Sequence, residues 1–137
     1  MRLTHRTGRF VAPVALAGFL AAGCASNGPQ GSSSPPPSEN LTDVAGLLRD
    51  YTAEFNKGPS KLTDMAKHET LYSRGYQAIK SGDVAVVWGV PMPNTGGGTG
   101  VIAYEKKVET VGGYVLLLSG EIKEMTANEF KAAPKAK

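Results

Sequence analysis

Residues 41–55 read LTDVAGLLRDYTAEF, and this stretch decides the fold because its apolar residues recur at intervals of three and four. Such spacing is typical of a helix with one buried face, formed here by Val44, Leu47, Leu48, Tyr51 and Phe55. Asn40 fits as the N-cap, with Asp43 in the first turn. Gly58, followed by Pro59, fits as the left-handed residue that ends the helix.

The chain after this helix carries a weaker helical pattern. A short second helix is predicted from Ser60, with Met65 on its apolar side. Residues 71–79 fit either a further helical turn or an irregular apolar stretch, because Gly75 and Gly82 each weaken a continuous helix.

Beyond residue 82 the composition favours β-strands. Four runs rich in β-branched, aromatic or alternating residues follow, at residues 84–90, 101–105, 114–118 and 121–124. The connection 91–100 is rich in glycine and predicts a flexible loop, and Gly112 with Gly113 ends the next connection. Ser119 and Gly120 fit a tight hairpin. Four consecutive strands predict an antiparallel meander.

Thr126 and Glu129 have the spacing of a capping box, which predicts a short last helix that buries Phe130. We therefore expect an α+β head at residues 41–133, in which an N-terminal helix packs on a three- to four-stranded antiparallel meander. Residues 134–137 are expected to form a basic tail. The residues expected to be largely buried are Val44, Leu48, Tyr51, Phe55, Val86, Trp88, Leu116 and Phe130.

Residues 1–23 have the layout of an export signal. Arg2, Arg6 and Arg9 precede the apolar run FVAPVALAGFL at residues 10–20, and small residues follow it. A membrane-spanning helix needs about 20 apolar residues, so this run is expected to direct export rather than to span.

Cys24 is the only cysteine of the 137 residues, and it directly follows the sequence LAAG at residues 20–23. This stretch resembles the lipobox of bacterial lipoproteins, although Ala21 stands where that family usually has leucine. The resemblance implies cleavage before Cys24 and a lipid on its sulfur, which would anchor the chain in a membrane. Ala25 and Ser26 lack the aspartate associated with inner-membrane retention, which favours the outer membrane. A plain secretory signal is the alternative.

Residues 24–40 are expected to be the lipidated cysteine and a disordered tether. Gly, Pro and Ser make up 11 of the 16 residues from 25 to 40, and no large apolar side chain occurs there.

The distribution of charge along the chain fits the division into a signal segment and a head. Three of the 15 Lys and Arg precede Phe10, and the other 12 balance the 12 Asp and Glu. A nucleic-acid partner is therefore not expected.

The candidate chemistry of the head is sparse. The glycine loop 96–100 lacks the following helix that a phosphate-binding loop needs. His68 and Asp64 are two possible metal ligands, whereas zinc takes three or four protein ligands, so we expect no metal site. Ser60, Ser73 and Ser81 lack the flanking glycines of a nucleophile elbow. We expect no catalytic residues and no cofactor.

Three aromatic residues on successive predicted strands form a possible binding surface for a glycan or a peptide: Trp88, Tyr104 and Tyr114. Packing in a half-buried sheet is the simpler interpretation of these residues. An edge of the last strands could instead accept a strand from a partner chain.

Residues 51–65 (YTAEFNKGPSKLTDM) resemble the stretch of type II secretion pseudopilins where a helix ends and a short helix follows. Residues 113–126 resemble the end of pilin-like proteins. The resemblance implies a head with a helix packed on an antiparallel sheet. It does not imply filament assembly, because a lipobox stands where pilins carry their leader.

The expected protein is thus a lipoprotein of the cell envelope with a non-catalytic binding or scaffolding head. It is expected at the outer membrane or the periplasmic face of a membrane, with an envelope protein or a glycan as partner. A pilin-like accessory subunit of a secretion system is the alternative, and a hydrolase is the third interpretation. The sequence does not indicate an oligomeric state.

Overall fold

The computed structural model describes residues 37–137, which form an α+β head, as predicted. The elements in chain order are α1 (Pro37–Phe55), a first 3₁₀ helix (Leu62–His68), α2 (Ser73–Ser81), β1 (Val84–Val86), β2 (Val101–Glu105), a second 3₁₀ helix (Lys106–Glu109), β3 (Gly113–Leu117), β4 (Ile122–Met125) and α3 (Ala127–Ala132). The predicted signal peptide, Cys24 and the tether up to residue 36 lie outside the described residues. Within residues 37–137, no helix is both long and apolar enough to cross a membrane.

Helix α1 is the predicted helix and ends at Phe55, where the sequence predicts its end, but its start and the left-handed residue that follows it differ from the prediction. It begins at Pro37 and not after Asn40, because proline is well accommodated in a first turn, where no N–H donor is needed. The left-handed residue at its end is Asn56, with φ 53°, and not Gly58. Gly58 is instead buried against the backbone of Val90, where a Cβ atom would overlap.

The apolar face of α1 forms the main core with one face of the sheet. Leu41, Val44, Leu48 and Tyr51 are at most 6% exposed. Phe55, predicted to be buried, is 43% exposed. It is the last residue of α1 and packs at the rim, with its ring centroid 4.6 Å from that of Tyr51.

The sheet is the predicted meander, with strand order β1-β2-β3-β4 and antiparallel pairing throughout. Strand β1 ends at Val86, well short of the predicted residue 90, because Gly89 adopts φ 80° and donates its N–H to Pro59 O at 2.7 Å. Trp88 therefore lies in a turn and is 38% exposed, contrary to the predicted burial. Val86 is half-buried.

Both faces of the sheet are covered. Strand β3 alternates between them, so that Leu116 faces the helices while Val115 and Leu117 face the opposite side. On that opposite side, α3 and the second 3₁₀ helix cover a second cluster of buried residues, composed of Val101, Val108, Val115, Leu117 and Phe130. The head therefore has three layers, with the sheet in the middle.

The end of the chain belongs to the sheet layer and is not a basic tail. Val101 N donates to Pro134 O at 2.9 Å, and Ala136 N donates to Val101 O at 2.9 Å. Ala136 is 6% exposed. The predicted boundary at residue 133 is therefore wrong, because a pairing with distant β2 leaves no local pattern in the sequence.

The predicted capping box of α3 is confirmed. Thr126 Oγ1 accepts from Glu129 N at 3.3 Å, and Glu129 Oε2 accepts from Thr126 N at 2.7 Å. Thr126 Oγ1 also donates to Glu129 Oε2 at 2.8 Å. The two hydrogen bonds that this carboxylate accepts from Thr126, first from its backbone N–H and then from its hydroxyl, lower the pKa of Glu129. Phe130 is buried, as predicted.

Leu48→Ala tests whether α1 is held by the sheet. Leu48 is fully buried, so the substitution should lower the free energy of unfolding by about 2 to 4 kcal/mol. Leu71→Ala is the control, because Leu71 is 71% exposed and should change stability by at most about 0.5 kcal/mol. Urea unfolding followed by circular dichroism measures both, and equal effects would contradict the packing described here.

Candidate binding cleft

The three aromatic residues predicted as a binding surface do not share one face. Tyr104 lies in β2 opposite Val115, on the side of the second cluster, with its ring centroid 4.6 Å from that of Phe130. Tyr114 lies in β3 and packs on the opposite, helix-facing side. Trp88 lies in the turn after β1. The structure therefore does not bring the three together as a platform.

The contacts of Tyr104 are those of a packing residue. Its hydroxyl donates to Glu109 Oε1 at 2.9 Å, and the ring is half-buried. Burial, together with this hydrogen bond, raises the pKa of Tyr104 above its ordinary value. The residue ties β2 to the second 3₁₀ helix.

His68 and Asp64 are also engaged separately. Asp64 Oδ2 accepts from Ser60 N at 2.9 Å and from Lys61 N at 3.2 Å, at the start of the first 3₁₀ helix. His68 Nε2 lies 3.5 Å from Glu54 Oε2 on α1. Across residues 37–137, no three His, Cys, Asp or Glu side chains are grouped to hold a metal ion.

A cleft of about 490 Å³ lies between the C-terminal half of α1 and the connection from β1 to β2. The residues of α1 that line it are Arg49, Thr52 and Ala53. The other lining residues are Asn56, residues 90–94 and 96–98, Leu118 and Lys137. We refer to this feature as the α1 cleft.

Hydrogen bonds hold the glycine-rich wall of the α1 cleft in place. Met92 N donates to Thr52 Oγ1 at 3.0 Å, which ties one end of the connection to α1. Ser119 N donates to Gly98 O at 3.0 Å, which ties the other end to the hairpin between β3 and β4. The connection predicted to be flexible is therefore anchored at both ends.

Gly97 has a steric role in this wall. A Cβ atom there would overlap Leu118 O, whereas a Cβ atom on the neighbouring Gly98 would meet nothing within 4 Å. Only a residue without a side chain permits this close approach of two backbones.

Arg49 is a charged residue that lines the α1 cleft. Its guanidinium packs on Gly120 so closely that a Cβ atom there would overlap Nη2. Its Nε is buried and has no hydrogen-bond partner among the described residues. Lys137 adds a second cationic side chain, and none of the residues from 37 to 137 that line the cleft is Asp, Glu, His or Cys. This arrangement suits the binding of an anion.

Sequence reasoning missed the α1 cleft, because its residues come from four separate parts of the chain. The only local signal was the glycine-rich connection. Comparison of the chain with models of protein families, with curated protein sequences and with solved structures found no match.

Gly97→Ala tests the wall of the α1 cleft. The added methyl group should force the connection away from Leu118 and lower the free energy of unfolding by about 1 to 3 kcal/mol. Gly98→Ala is the matched control and should cost little, because the space around it is open. Urea unfolding of the two variants checks this expectation, and a Gly98 variant that loses as much stability would contradict it.

Proposed function

We propose that this chain is an exported lipoprotein, anchored in a membrane of the cell envelope through Cys24, whose head is a non-catalytic binding or scaffolding module. The export layout and the lipobox-like sequence at residues 20–24 support the anchor. Two or three acyl chains on Cys24 would give effectively permanent membrane attachment, whereas one would not. The partner is an envelope protein or a glycan.

The lining of the α1 cleft is the observation that carries the binding role. It is a cleft of ligand-binding size, and the residues from 37 to 137 that line it include two cationic side chains and no carboxylate, imidazole or thiol. Buried or capping carboxylates elsewhere in the head have structural partners. Glu105 Oε2, for example, accepts from Tyr114 N at 2.9 Å and lies 3.4 Å from Lys107 Nζ. A hydrolase therefore stays the third interpretation.

The tether sets the distance at which the head works. Because α1 begins at Pro37, the tether consists of residues 25–36, shorter than the sequence alone indicates. A polyproline II conformation, which Pro35 and Pro36 favour, rises about 3.1 Å per residue. Twelve residues in that conformation span about 37 Å. A head on such a tether meets partners close to its own membrane.

A pilin-like accessory subunit is the second candidate. The order of a helix, a short helix and an antiparallel meander is the order that the resemblance implies, and this observation supports the candidate. Co-purification from membranes of the native organism distinguishes the two. Secretion components should accompany the chain only if it is an accessory subunit.

Cys24→Ser tests the anchor. Because the lipid is attached through the cysteine sulfur, the variant should be uncleaved or soluble and should carry no thioether-linked lipid. Cell fractionation and mass spectrometry of the N-terminal peptide measure this, with Ser26→Ala as the control that should behave as wild type. A Cys24 variant that is processed and retained in membranes like wild type would disprove the lipobox interpretation.

Deletion of residues 27–34 tests scaffolding, and it leaves α1 intact. The shortened chain should fold and stay anchored but should complement a deletion strain poorly, because its head no longer reaches its partner. A Gly/Ser sequence of equal length at the same place should restore complementation. Full complementation by a head exported without Cys24 would count against an anchored scaffold and would favour catalysis or capture of a soluble ligand.

A further inference from the structure

We propose that the α1 cleft binds the terminal carboxylate of a peptide, with Arg49 as the partner of the carboxylate. This inference rests on the proposed binding role of the head and names its ligand class. Three features of the cleft support this ligand: the unpaired guanidinium of Arg49, the charge of the lining, and the mixture of backbone and apolar walls.

Arg49 lacks the partners that an arginine in a folded domain normally has. It is half-buried, and it makes no hydrogen bond or ion pair within residues 37–137. Arg74, the other arginine of this part of the chain, pairs with Glu39 and lies 3.9 Å from Asp43 Oδ2. A buried donor without an acceptor is costly, and the cost is larger for a charged group. A ligand anion in the cleft would pair with this guanidinium charge, which has no ion-pair partner among residues 37–137.

The charge of the lining selects an anion. Arg49 and Lys137 contribute the charged side chains, and both are cationic. A cleft with one sign of charge concentrates ligands of the opposite sign. Guanidinium groups present parallel N–H donors that match the two oxygens of a carboxylate.

The remaining walls favour a peptide over a small inorganic anion. Gly96, Gly97 and Gly98 can line the cleft only with backbone atoms, because they have no side chains. Asn56 and Asn94 add side-chain amides, which match the N–H and C=O groups of a peptide. Apolar surface for the last side chains of the ligand comes from Pro91, Pro93 and Leu118. Capture of a peptide terminus by backbone groups is an established mode of recognition.

The test compares two probes that differ only in charge. The full-length chain in detergent is titrated calorimetrically with N-acetyl-trialanine, once with a free carboxylate and once as the C-terminal amide. The acid should bind at least about 10-fold more tightly, as expected for a hydrogen bond to a charged group. Equal binding of acid and amide, or binding of neither, would overturn the proposal.

Variants then locate the carboxylate. Arg49→Gln should weaken binding of the acid about 10- to 100-fold and remove its advantage over the amide. Arg49→Lys should restore part of the binding, because it keeps the charge but not the paired donors. Lys80→Gln is the matched control, since it removes an exposed helical cation that does not line the cleft. An unchanged acid preference in Arg49→Gln would overturn the assignment.

A measurement on the unmodified side chain guards against variants that fail to fold. In the wild-type chain, the ¹H–¹⁵N signal of Arg49 Nε should shift when the acid is added and stay in place when the amide is added. No shift with the acid would contradict the proposal.

A peptide ending in D-Ala-D-Ala, compared with the all-L probe, distinguishes a cell-wall peptide from a protein terminus as the source of the carboxylate.

Failure of this inference and failure of the proposed function are distinguishable. A chain that is lipidated through Cys24 but does not prefer the acid leaves the anchored module standing and removes only the carboxylate ligand. A chain that prefers the acid but is not lipidated removes the anchor and keeps the cleft assignment.

Discussion

Burial of one face of α1 against the sheet is the interaction on which the head depends. Cys24 is the only cysteine, so no disulfide within the chain supplements the core. Helix α2 is held against the same helix by close approach at Gly75, where a Cβ atom would lie 2.7 Å from Val44 N. Tyr72 adds a hydrogen bond to Asp50 at 2.9 Å, which raises the pKa of Tyr72. The two helices therefore form one layer over the sheet.

The position of α1 also determines the cleft. The helix buries Leu48 and Tyr51 in the core, while Arg49 and Thr52, one residue further along, reach the cleft. The 100° turn between consecutive helical residues explains this division. The core residues and the cleft-lining residues of α1 therefore lie on different sides of the same helical turns. A change in how α1 packs on the sheet would therefore also move Arg49, which lines the cleft.

The parts of the fold that depend on local pattern could be predicted, and those that depend on distant contacts could not. The α1 periodicity, the β-branched runs and the capping box at Thr126 each carry their own signal. Trp88 was assigned to a strand because its neighbours are β-branched, and the turn that exposes it depends on a contact with Pro59, distant in sequence. The cleft was missed for the same reason. Nothing near Arg49 in the sequence indicates that Gly120 lies beneath its guanidinium.

Pairing of residues 134–136 with the start of β2 has a practical consequence for handling the protein. Lys137 follows this pairing directly and lines the α1 cleft. An affinity tag joined directly to Lys137 would therefore be attached to a residue that lines the cleft and would crowd a ligand there. A tag before residue 1 would disturb the predicted export signal. The turn at Val111, which is 80% exposed and does not line the cleft, is a better place for an inserted epitope.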